Sequence, residues 1–144
     1  MARGPLPQAE YEQIYAMVPR LTVELVIRDR SGVVLSRRTD GPCAGLWTLP
    51  GGTVRFGEPL VEAVGRVGLD ELSLDLRAGP LLGYLEYPSH LAQGIDWPVG
   101  IAFDCELLEG PQLAETDVLR RWSQLPEPMH DEQRRFLAEL LGDG

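Results

Sequence analysis

Hydrophobic and polar positions follow two different periods along the chain, which predict both helices and strands. Apolar residues recur at helical spacing over residues 8–18, 59–72 and 130–141. Runs that are β-branched or alternating predict strands over residues 21–27, 33–36, 46–49, 74–76, 81–87, 99–107 and 118–122. A polar connection at 89–97 is typical of a mobile lid, and an acidic loop covers 109–117. This order predicts an α/β (α+β) fold with helices on both sides of a mixed β-sheet.

The segment 49–74, LPGGTVRFGEPLVEAVGRVGLDELSL, joins a glycine turn to an amphipathic helix. At about 100° per residue, Glu71 projects onto the same stripe as the apolar Val67, which predicts a carboxylate on the core side of the helix. Such a carboxylate is costly unless it is paired. Asp70 and Arg66 lie one turn apart on the adjoining strip, so they can converge with it. The segment therefore predicts a cation site.

Composition narrows the class of protein. A length of 144 residues is long enough for one domain with its own core, so we expect a single domain over 1–144. No apolar run approaches the ~20 residues of a membrane span, and we expect a cytoplasmic protein with no membrane partner. The net charge is −9, which argues against a nucleic-acid partner. The chain has no lysine, so any bound phosphate would be held by arginine or by a metal ion.

Several isolated residues have a plain structural interpretation. Cys43 and Cys105 have no metal-type spacing, so we expect both to be small buried hydrophobes. His90 is expected to be solvated, and His130 to have a structural role at the start of the last helix. Glu24 interrupts an apolar strand, and two alternatives stay open: a solvent-facing acid on an edge strand, or a functional carboxylate.

The segment also resembles the box of the Nudix hydrolase family. That box runs Gly, five residues, Glu, seven residues, then Arg-Glu-aliphatic-x-Glu-Glu-x-Gly-aliphatic. The chain matches it at Gly52, Glu58, Arg66, Asp70, Glu71 and Leu74. It departs from the box at Val67, which stands in place of the first glutamate, at Gly68, and at Ser73, which replaces the glycine. Asp70 also shortens one of the paired acids.

Landmarks outside the box are similar to those of the GDP-mannose mannosyl hydrolase branch of that family. They include Arg38, Pro42 and Trp47 ahead of the glycine turn, and Phe136 in the last helix. That branch also lacks the first box glutamate. The likeness covers roughly residues 8–140, and it implies one Nudix-like α/β/α sandwich around a mixed β-sheet.

The resemblance implies a Mg²⁺ site, with Mn²⁺ as an alternative ion. In the family the metal is held by the last box acid and by the carbonyl of the last turn glycine, here Glu71 and Gly52. Asp70 would be a further ligand, directly or through water. Arg66 would orient the acids, with Glu58 as its partner or as a water-mediated ligand. Carboxylates, carbonyls and retained waters are the ligands that Mg²⁺ prefers.

The resemblance also assigns substrate contacts. Arg38, with Arg37 beside it, would neutralise the leaving diphosphate, although adjacent arginines in a loop are often simply solvated. Glu24 occupies the place of an acid that helps to bind substrate in the mannosyl branch. That branch takes its general base from a loop histidine, and the corresponding position here falls at or near Asp117. Asp117 and Glu115 are therefore the candidate bases.

We therefore expect a Mg²⁺-dependent hydrolase of a nucleoside diphosphate linked to another group, with a nucleotide sugar as the predicted substrate. Attack at phosphorus and attack at the sugar carbon both stay open, as does a homodimer. One alternative is a nucleotide-binding module that has lost the chemistry. Others are a general nucleoside di- or triphosphate pyrophosphohydrolase, and a structural helix in which Arg66 merely neutralises Glu71.

Overall fold

A computed structural model describes residues 4–108 and 113–142, so the predicted acidic loop falls partly outside the described residues. The elements, in chain order, are α1 (Gln8–Tyr15), β1 (Arg20–Val26), β2 (Arg28–Asp29), β3 (Gly32–Arg37), β4 (Trp47–Thr48), β5 (Gly51–Thr53), α2 (Leu60–Leu72), β6 (Leu76–Glu86), α3 (Pro88–Ala92), β7 (Pro98–Leu107), β8 (Leu119–Trp122) and α4 (Asp131–Leu140). In the described ranges no helix is long and apolar enough to cross a membrane.

The strands form two four-stranded sheets. The first has the order β5-β1-β7-β6, with β1 and β7 parallel and the other two pairs antiparallel. The second places β3 between β2 and β4 and also pairs it with β8, all antiparallel. The first sheet confirms the predicted mixed sheet. The second sheet goes beyond the prediction of a single sheet.

Helices α2 and α4 pack against opposite sides of β1. The apolar face of α2 buries Ala63, Val64 and Val67 in a core that contains Val23 and Leu25 of β1. A second core contains Leu137 of α4, Val26 of β1 and several apolar residues of the second sheet. Because successive side chains of a strand point to opposite faces, β1 reaches both cores. The predicted covering of the sheet on both sides is confirmed.

Two predicted elements differ from the structure. Residues 74–76 and 81–87, expected as two strands, belong largely to one strand, β6, whose register shifts between Ala78 and Leu81 and between Leu81 and Gly83. These irregularities break the alternation of apolar residues, so the sequence reads as two pieces. The expected lid at 89–97 contains the short helix α3, which begins at Pro88, a residue well suited to the first helical turn.

One departure from the box lies at the end of α2. Ser73, which stands where the box has glycine, has a left-handed φ of 56°. Glycine adopts this conformation without a steric cost, whereas serine pays about 1 kcal/mol or more. The backbone N–H of Ser73 still donates to the Leu69 carbonyl at 3.1 Å, so the helix ends in the same way.

Candidate active site

One cavity of about 610 Å³ brings together residues from distant parts of the chain. One side, the box wall, is formed by the glycine turn at 50–53 and the end of α2. Another part of its lining, the histidine wall, is formed by the loop after β3, the start of α3 and the start of α4. The predicted site residues that line this cavity are Glu24, Arg37, Arg38, Gly52 and Glu71.

Glu71 lines the cavity, but it is exposed and not on the buried side of α2 as predicted. Val67, one turn earlier on the same stripe, is buried and packs beneath Gly52, where an added Cβ would lie 2.9 Å from its Cγ2. The stripe therefore passes from the core to the cavity within one turn. Among the described residues, the Glu71 carboxylate has no hydrogen-bond or ion-pair partner. It is free to bind a cation.

The Glu58 carboxylate, unlike that of Glu71, is held by hydrogen bonds. Its carboxylate accepts hydrogen bonds from Arg66 Nε at 2.6 Å and Nη2 at 2.9 Å, and from the Arg55 backbone N–H at 3.0 Å. These bonds hold the pKa of Glu58 below its usual value, with Arg66 the main cause. The geometry fits Glu58 as the partner of Arg66 better than Glu58 as a metal ligand.

Arg66 connects several residues of the box but does not line the cavity. Its Nη2 also donates to the Thr53 carbonyl at 3.0 Å, and its Nη1 lies 3.7 Å from an oxygen of Asp70. Asp70 is exposed and, like Arg66, does not line the cavity. Because Arg66 contacts Glu58, Thr53 and Asp70, the interpretation of Arg66 as merely the neutralising partner of Glu71 has no support in these contacts.

The hydrogen-bond pattern of β5 distinguishes between the two turn glycines. Leu25 N–H donates to the Pro50 carbonyl at 2.8 Å, and Val54 N–H donates to the Leu21 carbonyl at 2.9 Å. Antiparallel pairs alternate, so Gly52 occupies a hydrogen-bonded position and its carbonyl points into the sheet. Gly51 occupies a non-hydrogen-bonded position of β5, which is an edge strand, so its carbonyl is directed away from β1. The register favours Gly51 over the predicted Gly52 as a backbone ligand.

The two arginines after β3 lie in the cavity wall as a pair with unequal surroundings. Arg38 is exposed, and its guanidinium has no hydrogen-bond or ion-pair partner in the described part of the chain. The Arg37 guanidinium lies over the Trp47 ring, 6.0 Å from its centroid. The loop is held by hydrogen bonds between the backbones of Arg38 and both Leu46 and Gly45. Arg38 is therefore the freer of the two to meet a phosphate.

Glu24 is buried in the interior strand β1, so the solvent-facing alternative is wrong. Its Oε1 accepts hydrogen bonds from Thr22 Oγ1 and Tyr87 Oη, both at 2.9 Å. Gly51 and Gly100 make room for it, because an added Cβ would lie 2.8 Å and 2.5 Å from its carboxylate oxygens. Burial raises the pKa of Glu24. A buried, hydrogen-bonded acid at a cavity wall is typical of a functional group.

Tyr87 connects Glu24 to the helix α4. Gln133 Nε2 donates to Tyr87 Oη at 3.1 Å, and Gln133 Oε1 accepts from the Leu49 N–H at 2.7 Å. The relay therefore fixes Glu24 against the residue that precedes the glycine turn. Burial raises the pKa of Tyr87, so this phenol stays protonated and donates. No local pattern predicts this relay, because its members are spread over more than 100 positions.

The histidine wall brings together Cys43, His90 and His130. His90 Nε2 lies 2.9 Å from His130 Nε2 and 3.9 Å from Cys43 Sγ, and all three residues line the cavity. The prediction that His90 is solvated is wrong, since its side chain is only 12% exposed and His90 Nδ1 lies 2.8 Å from Asp96 Oδ1. His130, which was expected to have a structural role, is buried and lines the cavity.

The two cysteines differ in environment, and neither is the fully buried hydrophobe that was predicted. Hydrogen bonds from His130 and His90 lower the pKa of Cys43 to about 6, whereas burial raises that of Cys105 to about 12. The hydrogen bond with Asp96 is the main cause that raises the pKa of His90 to about 9. Without a metal, the histidine wall at neutral pH is thus a thiolate next to an imidazolium.

Glu115 and Asp117, the predicted bases, are exposed and do not line the cavity. Val118 and Leu119, which follow Asp117 in the chain, do line it. The Glu115 carboxylate accepts a hydrogen bond from the Arg121 backbone N–H at 2.8 Å. Asp117 has no side-chain partner among the described residues. The catalytic role of either acid stays a prediction.

Comparisons with known proteins agree with this architecture. Residues 18–140 match the NUDIX domain. The low-salt glycan biosynthesis protein Agl8 of Haloferax volcanii is 35% identical over 138 residues, which are 94% of this chain and 88% of that protein. An ADP-ribose pyrophosphatase of Methanocaldococcus jannaschii is 30% identical over 99 residues, 69% of this chain and 57% of that protein.

A solved structure of similar size shares the fold. The crystal structure of a MutT NUDIX hydrolase from Burkholderia pseudomallei superposes with a TM-score of 0.70 at 27% identity. The superposition covers 85% of this chain and 98% of that one.

Proposed function

The chain belongs to the Nudix family and is a hydrolase, and we propose that it cleaves a nucleoside diphosphate linked to a sugar, with Mg²⁺ as cofactor. The observation that carries the proposal is the presence of opposite charges in one cavity. An unpartnered carboxylate, Glu71, and an unpartnered guanidinium, Arg38, both line it. The family's use of divalent metals and the names of the glycan-biosynthesis and ADP-ribose relatives are consistent with this class of substrate.

The residues of the box wall fit a Mg²⁺ ion. Glu71 offers a free carboxylate, and the edge-strand position of Gly51 offers a carbonyl in place of the predicted Gly52. Asp70 would act through water, because it is exposed one residue away from Glu71. These are the hard oxygen ligands that Mg²⁺ and Mn²⁺ take. When bound, the ion would withdraw negative charge from the diphosphate and fix its orientation.

The rest of the cavity lining supplies the other contacts to the substrate. The guanidinium of Arg38 can bind phosphate oxygens through two parallel hydrogen bonds, and Arg37 adds charge from above Trp47. One oxygen of Glu24 already accepts two hydrogen bonds, while the carboxylate still lines the cavity. A buried acceptor of this kind suits a hydroxyl group of a sugar, and this favours a nucleotide sugar over a simple nucleotide.

A base must still take a proton from the attacking water. We assign this to Asp117 in preference to Glu115, because the Glu115 carboxylate is occupied by the Arg121 N–H. General-base catalysis contributes about 10²–10⁴-fold to a rate. We therefore expect Asp117→Asn to lower kcat by at least about 10²-fold with little change in KM, and Glu115→Gln to leave both nearly unchanged. Equal losses in the two variants would contradict the assignment.

The function is tested by a screen of nucleotide sugars, dinucleoside compounds and nucleoside triphosphates, with and without Mg²⁺ or Mn²⁺. The best substrate is then turned over in ¹⁸O-water. Label in the nucleotide or in the sugar phosphate identifies attack at phosphorus, and label only in the free sugar identifies attack at carbon. Turnover restricted to triphosphates would replace the proposal with a general pyrophosphohydrolase.

A further inference from the structure

The histidine wall contains potential metal-ligand atoms that the proposed reaction does not use. Cys43 comes from the loop between β3 and β4, His90 from α3, and His130 from the residue that precedes α4. One ligand atom from each lies within 4.8 Å of the other two. The three residues are 47 and 40 positions apart in sequence, so their proximity comes from the fold and not from chain connectivity.

The separations are close to those around a zinc ion. Ideal tetrahedral coordination, with Zn–N of about 2.05 Å and Zn–S of about 2.3 Å, places two nitrogens roughly 3.3 Å apart and a nitrogen and a sulfur roughly 3.6 Å apart. The observed distances are 2.9 Å between the two Nε2 atoms and 3.9 Å between Cys43 Sγ and His90 Nε2. Each observed distance lies within about 0.4 Å of its tetrahedral value.

The outer contacts orient both imidazoles toward the same point. His90 Nδ1 lies 2.8 Å from Asp96 Oδ1, and Asp96 is itself fixed by Arg20 Nε at 2.9 Å. A carboxylate on the far nitrogen is the usual support of a metal-bound histidine, because it keeps the proton there and leaves the Nε2 lone pair toward the metal.

His130 supplies an independent observation. Its Nδ1 is buried without a hydrogen-bond partner in the part of the chain that the structure describes, 3.7 Å from Glu132 Oε1. A buried orphan nitrogen is costly. If His130 carries its proton on Nδ1, facing Glu132, then its Nε2 lone pair is directed at His90 Nε2, 2.9 Å away, and is placed to bind a cation between the two rings.

We infer that Cys43, His90 and His130 form a Zn²⁺ site in the histidine wall, with the fourth coordination position open to the cavity. Thiolate and imidazole donors suit zinc, whereas Mg²⁺ requires oxygen ligands, so this site and the box wall would select different ions. Three protein ligands with an open position are typical of zinc sites that bind a substrate or water. The bound ion would also tie the β3–β4 loop to α3 and α4.

The test is Zn²⁺ binding to the full chain in the absence of substrate. Protein stripped of metal with a chelator is titrated against a chromophoric competitor, and we expect about one Zn²⁺ per chain. Cys43→Ser should weaken the affinity by at least about 100-fold, and Asp96→Asn by about 10–100-fold. Cys105→Ser is the matched control and should bind as the unchanged chain does. Equal affinities in Cys43→Ser and Cys105→Ser would overturn the inference.

Cobalt gives a second readout that does not depend on comparing affinities. Co²⁺ added to the stripped chain should produce a thiolate-to-cobalt charge-transfer band in the near ultraviolet, and Cys43→Ser should lack this band. A spectrum without the band in the unchanged chain would show that the thiolate does not bind the ion, and would overturn the inference.

The inference stands apart from the proposed hydrolysis, and one variant separates them. Glu71→Gln removes the carboxylate of the box wall and should retain Zn²⁺ binding while it loses Mg²⁺-dependent turnover. If Glu71→Gln also abolishes Zn²⁺ binding, the ion belongs to the box wall and the inference fails, whatever the substrate proves to be.

Discussion

The two walls of the cavity are built from different chemistry and in different ways. The box wall is a continuous segment in which a glycine turn and one helix present oxygen atoms, with Glu71 free and Glu58 bound to Arg66. The histidine wall is assembled from three segments and presents nitrogen and sulfur atoms. One cavity therefore presents oxygen atoms from one part of its lining and nitrogen and sulfur atoms from another.

Loss of Glu71 should give the largest effect. Glu71→Gln should lower kcat/KM about a thousandfold, because a catalytic metal supplies several kcal/mol and 1.36 kcal/mol corresponds to a factor of ten. Glu62→Gln, an exposed glutamate at the other end of α2, is the control and should keep its activity. The measurement is steady-state turnover with saturating Mg²⁺, and comparable loss in both variants would contradict the role of Glu71.

The environments of the two cysteines predict a second large difference. With a pKa of about 6 against about 12, Cys43 of the metal-free chain is a thiolate at pH 7 and Cys105 is a thiol. After allowance for the lower nucleophilicity of the more acidic thiol, iodoacetamide should alkylate Cys43 about 100-fold faster. The rate at Cys43 should fall only as the pH drops through about 6, and Zn²⁺ should protect it. Mass spectrometry of each site measures both rates.

Removal of Arg38 should have an intermediate effect. Arg38→Ala should raise KM about tenfold, because a charge-assisted hydrogen bond contributes about 1.5–3 kcal/mol when it is made to a phosphate. Arg30→Ala, an exposed arginine in the turn after β2, is the matched control. Unchanged KM in Arg38→Ala would indicate that the diphosphate does not meet this side of the cavity.

Substitution of Glu24 should have the smallest effect, and it should raise stability while it lowers activity. Burial raises its pKa in the folded state, so above pH 4.5 the folded chain binds more protons than the unfolded chain, and stability falls as the pH rises. Glu24→Gln should therefore increase the free energy of unfolding at pH 7 by about 0.5–2 kcal/mol while it lowers activity. The gain should vanish below about pH 4.5. Denaturant titrations at several pH values would check this, and a destabilised variant at pH 7 would contradict it.

The two walls also differ in what the sequence could predict. The fold class and the box could be predicted because their signals are local: a helical stripe, a glycine turn and fixed gaps within 49–74. The exposure of Glu71 was missed, since periodicity gives the direction of a side chain but not where the neighbouring sheet ends. Val67 and Glu71 share one stripe, yet only Val67 lies beneath Gly52.

The histidine wall could not be predicted in the same way. Cys43, His90 and His130 have no motif spacing, and each alone has a plain structural interpretation. Their proximity depends on how β3, α3 and α4 are arranged in space, which no local pattern encodes. The buried position of Glu24 was open for the same reason, because it depends on whether β1 is an edge strand or an interior one.

Mn²⁺ binding followed by electron paramagnetic resonance tests whether the box wall holds the hard catalytic cation. The unchanged chain, Glu71→Gln and Cys43→Ser are titrated with Mn²⁺ under the same conditions. We predict that Glu71→Gln loses tight Mn²⁺ binding and that Cys43→Ser retains it. Mn²⁺ binding that survives Glu71→Gln but is lost in Cys43→Ser would contradict the claim.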